Sequence, residues 1–122
     1  MGRVMAKRKE NYRKTGTVYE NKAVLFLMEK GYRILERNFY TRFGEIDIIA
    51  MDGDYLVFAE VKYRKGSYRG AALEAVTPAK QRRIIQSARY YIYKKYYRED
   101  VPCRFDVIGF EGEDVVHIPN AF

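Results

Sequence analysis

The sequence predicts an α/β fold: a mixed β-sheet flanked by helices, in the order αβββαββ. Three observations carry this. The central stretch from Arg42 to Arg64 alternates along two strand-length runs joined by Asp52-Gly53-Asp54, a segment holding both dipeptides that two-residue hairpin loops favour. Helical patterns with matching end signals lie on either side of it. Two short strand patterns, 104–110 and 115–118, close the chain around Glu111-Gly112-Glu113.

In chain order, residues 1–14 are polar and basic without periodicity and read as a flexible basic arm, leaving residues 15–122 as one domain. A first helix is expected from Thr17, which forms a Thr-x-x-Glu capping box with Glu20, to Gly31, which suits a left-handed C-terminal position. Val24, Leu27 and Met28 supply its core face. Tyr32 to Phe39 reads as an edge strand. In the hairpin, Gly44–Met51 places Glu45, Asp47 and Ile49 opposite in facing to Ile46, Ile48 and Ala50, and Tyr55–Lys62 places Phe58, Glu60 and Lys62 opposite to Val57, Ala59 and Val61. A long helix follows from Thr77, the cap, and Pro78, at the first helical position, to Tyr97. Its core face is Ile84, Ile85, Ala88, Ile92 and Tyr96.

Composition narrows the function classes. The 122 residues, 48% hydrophobic and 32% charged, suit one folded domain. No apolar run approaches the roughly 20 residues of a membrane span and no signal-peptide core is present, so a cytoplasmic location and no membrane partner are expected. A single cysteine, Cys103, excludes an internal disulfide and a multi-cysteine metal site, and the lone His117 reads as a packing or hydrogen-bonding residue. No Ser-His-Asp or Cys-His set can be assembled. The net charge of +7 points to a polyanionic partner, with nucleic acid first. Arg64, Lys65 and Arg69 lie in a glycine- and tyrosine-containing loop that can follow a nucleic-acid backbone, or simply be surface. The long helix carries Lys80, Arg82, Arg83, Arg89, Lys94 and Arg98 without an acid before Glu99.

The hairpin gathers the chemistry. Glu45, Asp47, Glu60 and Lys62 share a face in either two-residue register. With Gly53-Asp54 as the loop, Asp47 faces Glu60 and Glu45 faces Lys62; with Asp52-Gly53, Glu45 faces Glu60 and Asp47 is their diagonal neighbour. Facing Cβ atoms lie roughly 4.5–5.5 Å apart, so the carboxylates need a cation. Lys62 can provide it, in an ion-pair cluster that only holds the sheet. A divalent ion held by oxygen ligands, Mg²⁺ or Mn²⁺, is the other reading. The chemistry that uses the second arrangement is phosphodiester hydrolysis, with Asp47 and Glu60 as metal ligands and Lys62 orienting water or stabilising charge.

An Asp followed on the next strand by Glu-x-Lys resembles the signature of the PD-(D/E)XK nuclease superfamily. More closely, Gly31–Leu35, Arg37-Asn38, Gly44–Asp47, Val57–Lys62, Ala75-Val76, Lys80, Arg83, Arg104–Val107 and His117–Phe122 resemble, in order and spacing, the YraN-like family of bacterial proteins. That family is itself similar to archaeal Holliday-junction resolvases. The resemblance implies a restriction-endonuclease-like fold and a Mg²⁺-dependent endonuclease acting on DNA rather than RNA, with branched and flapped DNA among its candidate substrates, as a homodimer if it cuts junctions symmetrically. It implies a second role for Glu20 as an acid reaching the metal site, although Tyr19 stands where the family more usually has glycine. It also brings Lys80 and Gln81 near the site. The alternatives are a non-cleaving nucleic-acid-binding module of the same fold and a basic protein-assembly factor.

Overall fold

Alanine, lysine, arginine, glutamate and methionine favour helix, and the first helix of the computed structural model accordingly extends across the N-terminal segment to Glu29. The structure describes residues 2–64 and 70–122, with side chains from residue 16 onward. The chain runs α1 (Gly2–Glu29), β1 (Arg33–Thr41), β2 (Gly44–Asp52), β3 (Tyr55–Arg64), α2 (Ala71–Glu74), α3 (Pro78–Tyr96), β4 (Cys103–Glu111) and β5 (Asp114–Ile118). Thr17 therefore lies inside α1 rather than at its cap, and the side chains of the expected basic arm lie outside the described residues. The C-terminal end of α1 forms as expected. Gly31 has φ +90, Tyr32 N–H donates to Leu27 O at 3.0 Å and Gly31 N–H to Met28 O at 3.0 Å, which satisfies the last carbonyls of the helix.

The five strands form one mixed sheet in the order β1-β2-β3-β4-β5. Neighbours are antiparallel except β3 and β4, which run parallel because α2 and α3 carry the chain between them. The mixed sheet flanked by helices is consistent with a restriction-endonuclease-like fold.

Each face has its own core. Ala23 and Leu27 of α1 pack on Ile48, Ala50, Ala59 and Ile108. Ala88, Tyr91 and Ile92 of α3 pack on Ile46, Ile49, Leu56 and Phe58. The strict alternation expected of β2 is thus broken, since Ile46 packs with Ile49 on the α3 side and Ile48 on the other. Two further residues differ from expectation: Met28 and Tyr96 are exposed, and Tyr91 takes the buried aromatic position on α3. The short helix α2, absent from the sequence pattern, is anchored by Glu111. This buried carboxylate accepts from Gly70 N–H (3.2 Å) and Ala72 N–H (3.0 Å). Gly109 makes room for it, because a Cβ there would come within 2.4 Å of Ala72 Cβ.

Behind the sheet, Asp106 is fully buried and accepts from Arg104 Nε (3.1 Å) and Asn120 N–H (3.1 Å), with His117 Nε2 at 2.8 Å. His117 Nδ1 meets Lys30 Nζ at 2.8 Å. These bonds tie α1, β4 and β5 together and give His117 the hydrogen-bonding role expected of it. No helix among the described residues is long and apolar enough to cross a membrane.

Candidate active site

The loop of the central hairpin is Gly53-Asp54, with Asp52 paired directly to Tyr55 and Gly53 at φ +58. Pairing continues to Ile48 opposite Ala59, just short of Asp47 and Glu60. There the ladder ends. Asp47 turns its carboxylate across the gap, and Oδ2 accepts Val61 N–H at 2.8 Å. Strand β3 stays paired with β4 from Glu60 opposite Val107 to Arg64 opposite Glu111. Glu60 and Lys62 are consequently held firmly by β4 while their β2 side opens into a cleft.

Glu60 is 4% exposed, and two lysines reach one of its oxygens. Lys62 Nζ lies 3.1 Å and Lys80 Nζ 2.7 Å from Oε1. Lys80 is placed by the start of α3. Thr77 Oγ1 accepts Lys80 N–H at 3.2 Å and Pro78 occupies the first turn, so the expected cap is formed and aims Lys80 at the cleft.

Glu20 comes from α1 and Glu45 from the start of β2. With Asp47 they bring carboxylate oxygens within 4.8 Å of one another. Asn38 on β1 sits between two of them. With its amide nitrogen turned to the carboxylates, it donates to Glu45 Oε1 at 2.7 Å and to Glu20 Oε1 and Oε2 at 3.1 and 3.2 Å. Asn38 holds a left-handed φ of 52, a conformation asparagine tolerates better than most residues. Asp47, Glu60 and Lys80 line two adjoining cavities. One, of about 240 Å³, also reaches Tyr19, Glu20 and Lys62; the other, of about 150 Å³, reaches Glu45 and Arg83.

The electrostatics follow from crowding acids in a half-buried cleft. Burial, then the Glu60 carboxylate, push Asp47 up to about 8 against the lowering effect of the Val61 N–H. Glu45 is raised by burial and by Glu20 and Glu60, with Lys80 opposing. Glu20 is raised by burial, while the Asn38 amide and Arg37 pull it back. Lys62 is lowered by burial and by the neighbouring Lys80, against the attraction of Glu60. Burial alone would lower Lys80 as well, but Glu60 outweighs it and Lys80 is raised. Burial is the first cause of each raised acid, and mutual repulsion adds to it. The carboxylates that come together, Glu20, Glu45 and Asp47, form an all-oxygen set that can hold a hard divalent cation; Glu60, expected as a central donor, lies outside that set and is held by Lys62 and Lys80.

The remaining candidates divide. Arg83 is exposed on α3 at the rim of the smaller cavity. Gln81 is turned away, its Nε2 donating to Val76 O at 3.0 Å. Arg64 is exposed at the end of β3 with Nη1 on Tyr63 O. Lys65 and Arg69 lie outside the described residues. Tyr19, the departure from the family pattern, stacks on Tyr63 with ring centroids 4.2 Å apart and forms a wall of the cleft. Asn38 was not legible as a site residue. Its only local signal is that asparagine, within a strand, is suited to positive φ.

The sequence profile of the uncharacterised protein family UPF0102 matches residues 19–110, a span that contains Glu20, Asn38, Glu45, Asp47, Glu60, Lys62 and Lys80. The chain belongs to UPF0102. Relatives called UPF0102 proteins agree along nearly their whole length. One from Lachnoclostridium phytofermentans is 46% identical over 92% of this chain and 95% of its own. One from Chlorobium phaeobacteroides is 48% identical over 84% and 89%. One from Fusobacterium nucleatum is 44% identical over 90% and 92%. Of the YraN-like segments, Gly44–Asp47, Val57–Lys62, Lys80 and Arg83 lie on the strands and helix that build the cleft of this UPF0102 chain, whereas Arg104–Val107 and His117–Phe122 build the network around Asp106 and His117.

Proposed function

We propose that this UPF0102 chain is a Mg²⁺- or Mn²⁺-dependent endonuclease that hydrolyses phosphodiester bonds in DNA in the cytoplasm. The observation that carries the reading is the fork between β2 and β3, where Asp47 accepts Val61 N–H, Asp47 and Glu60 line the same cavities, and Lys62 and Lys80 share one Glu60 oxygen. A metal ion held by Asp47 and Glu60 would supply positive charge against the phosphoryl oxygens. The protein's own groups do the rest. Glu45 and Glu20 complete the acidic wall, and Asn38 holds those two side chains in place. Lys62 orients the attacking water through Nζ or stabilises the charge that develops on the phosphate; the water's proton passes to solvent as the new P–O bond forms, and the departing sugar oxygen takes up a proton from solvent. Lys80, with its proton affinity raised, keeps a fixed positive charge beside Glu60 and the phosphate. Arg83 and Arg64 follow the DNA backbone at the rim. Symmetric cutting of a branched substrate would require a two-fold homodimer.

The pairing of Glu60 with both lysines favours a second reading, a nucleic-acid-binding module in which the cluster is only an ion-pair network. The test is cleavage of labelled duplex, flap and four-way-junction DNA with Mg²⁺, with Mn²⁺ and with EDTA, comparing wild type with Glu60→Gln and Lys62→Ala. Metal-dependent cutting lost in both variants supports the nuclease. Binding without cutting, in every metal, sinks it in favour of the module.

A further inference from the structure

On the α3 side of the sheet edge, outside the cleft, β1 and α3 enclose a groove of about 300 Å³, at the lower end of the range for small-ligand sites. Its walls are aromatic. Phe39 meets Tyr90 at 6.3 Å between ring centroids and Tyr91 at 5.2 Å, edge to face. Tyr90 is 42% exposed and Tyr40, at the mouth, is 71% exposed. Lys94 and Lys95 line the same groove, with Lys94 Nζ 5.5 Å from the centre of the Tyr90 ring. Tyr91, itself only 4% exposed, closes the floor of the groove with its ring packed edge to face on Phe39 and Phe58. Glu36, beside it, is an acceptor for amino groups.

Tyr40 belongs to two surfaces. It lines this groove and also the cavity of about 580 Å³ that contains Glu20, Asn38 and Glu45. We propose that the groove binds an unpaired nucleotide, its base stacked on Tyr90 and its phosphate on Lys94 and Lys95, so that the single strand passes over Tyr40 to the carboxylate cleft. Exposed aromatic faces interleaved with lysines are what a single strand needs, because every base has a stacking face and every linkage a charge. This rests on the nuclease reading above and names its substrate class as DNA with a single-stranded segment.

The test measures binding of a fluorescein-labelled oligothymidylate and of a blunt hairpin duplex in EDTA. Tyr90→Ala is expected to weaken oligothymidylate binding roughly 5- to 150-fold, the range for losing one stacking platform, and to leave duplex binding unchanged. Tyr40→Ala, at a side chain 71% exposed, is expected to weaken it about fivefold or more while the fold stays as stable as wild type. No oligothymidylate binding, no effect of either variant, or equal losses on both probes would overturn the proposal. So would a wild-type dimer that Tyr90→Ala converts to monomer without altering oligothymidylate affinity, since the groove would then be covered by a second copy. Tyr90-dependent binding without metal-dependent cutting would leave the groove and remove the nuclease. Glu60-dependent cutting without Tyr90-dependent binding would do the reverse.

Discussion

Lys62 and Lys80 reach the same oxygen of Glu60, at 3.1 and 2.7 Å, yet their surroundings push them apart: Lys62 is lowered and Lys80 raised. Burial and the neighbouring Lys80 account for the first shift, and the Glu60 carboxylate for the second.

The pair can be told apart by pH. Lys62→Ala is expected to reduce cleavage about 10²- to 10³-fold. Lys80→Met removes a cation that lowers Lys62, so Lys62 is expected to titrate at higher pH in that variant, as read by NMR titration of its ammonium group in the metal-free protein. A Lys62 titration left unchanged by Lys80→Met would show that the two lysines do not act on one another.

The two aspartates of the interior give stability opposite pH dependences. Asp47 is raised to about 8, so the metal-free fold keeps it protonated where the unfolded chain, with a value of 3.8, has released the proton. Its effect is least unfavourable below about pH 4 and stability is lost as pH rises through about 8. Asp47→Asn should therefore raise Tm in EDTA more at the alkaline end of this window than at the acid end. Asp106 behaves in the other direction. Burial would raise it, but the bonds from His117, Arg104 and Asn120 hold it below its ordinary value. Its contribution is present above the ordinary carboxylate value and lost as pH falls through the lowered one. Asp106→Ala should cost about 3–5 kcal/mol in denaturant unfolding at neutral pH, because Arg104 loses its buried partner.

Metal should act on the same acids. Mg²⁺ or Mn²⁺ at 100 times its dissociation constant is expected to stabilise the fold by about 2.7 kcal/mol. Because the ligands must release protons, the Tm gain should be larger near pH 8.5 than near pH 6 and vanish in the Asp47→Asn, Glu60→Gln double variant. An equal gain in that variant would place the ion elsewhere.

Asn38 separates backbone from side chain. Asn38→Ala should destabilise by about 1–2 kcal/mol, since alanine adopts left-handed φ poorly, whereas Asn38→Gly relieves the backbone. Both remove the amide between Glu20 and Glu45, so both should lose metal affinity in calorimetric titration. If Gly restored affinity as well as stability, the amide would have no part in the site.

Much of the cleft was legible because its signals are local. The hairpin announced Asp47, Glu60 and Lys62 through alternation and turn chemistry, and Thr77-Pro78 announced where α3 begins. What was not legible lay where alternation fails or partners are distant. Ile46 and Ile48 face different cores, and Asp47 bonds Val61 N–H instead of continuing the ladder. Gln81, which the family resemblance brought near the site, is held by Val76 O. The end of α1 was readable from Gly31, but its start was not, because a cap signal at Thr17 does not stop a helix that good helix formers continue.

Periodicity, cap residues and turn dipeptides act between neighbours, so the order of strands and helices, the family and the hairpin's acids follow from the sequence. The parallel pairing of β3 with β4, the choice of Gly53-Asp54 over Asp52-Gly53, the meeting of Lys80 with Glu60 and the Asn38 bridge between Glu20 and Glu45 were decided only by the fold. Each depends on which faces of the helices pack on the sheet, and that is set by burial of the two cores rather than by any residue's immediate neighbours.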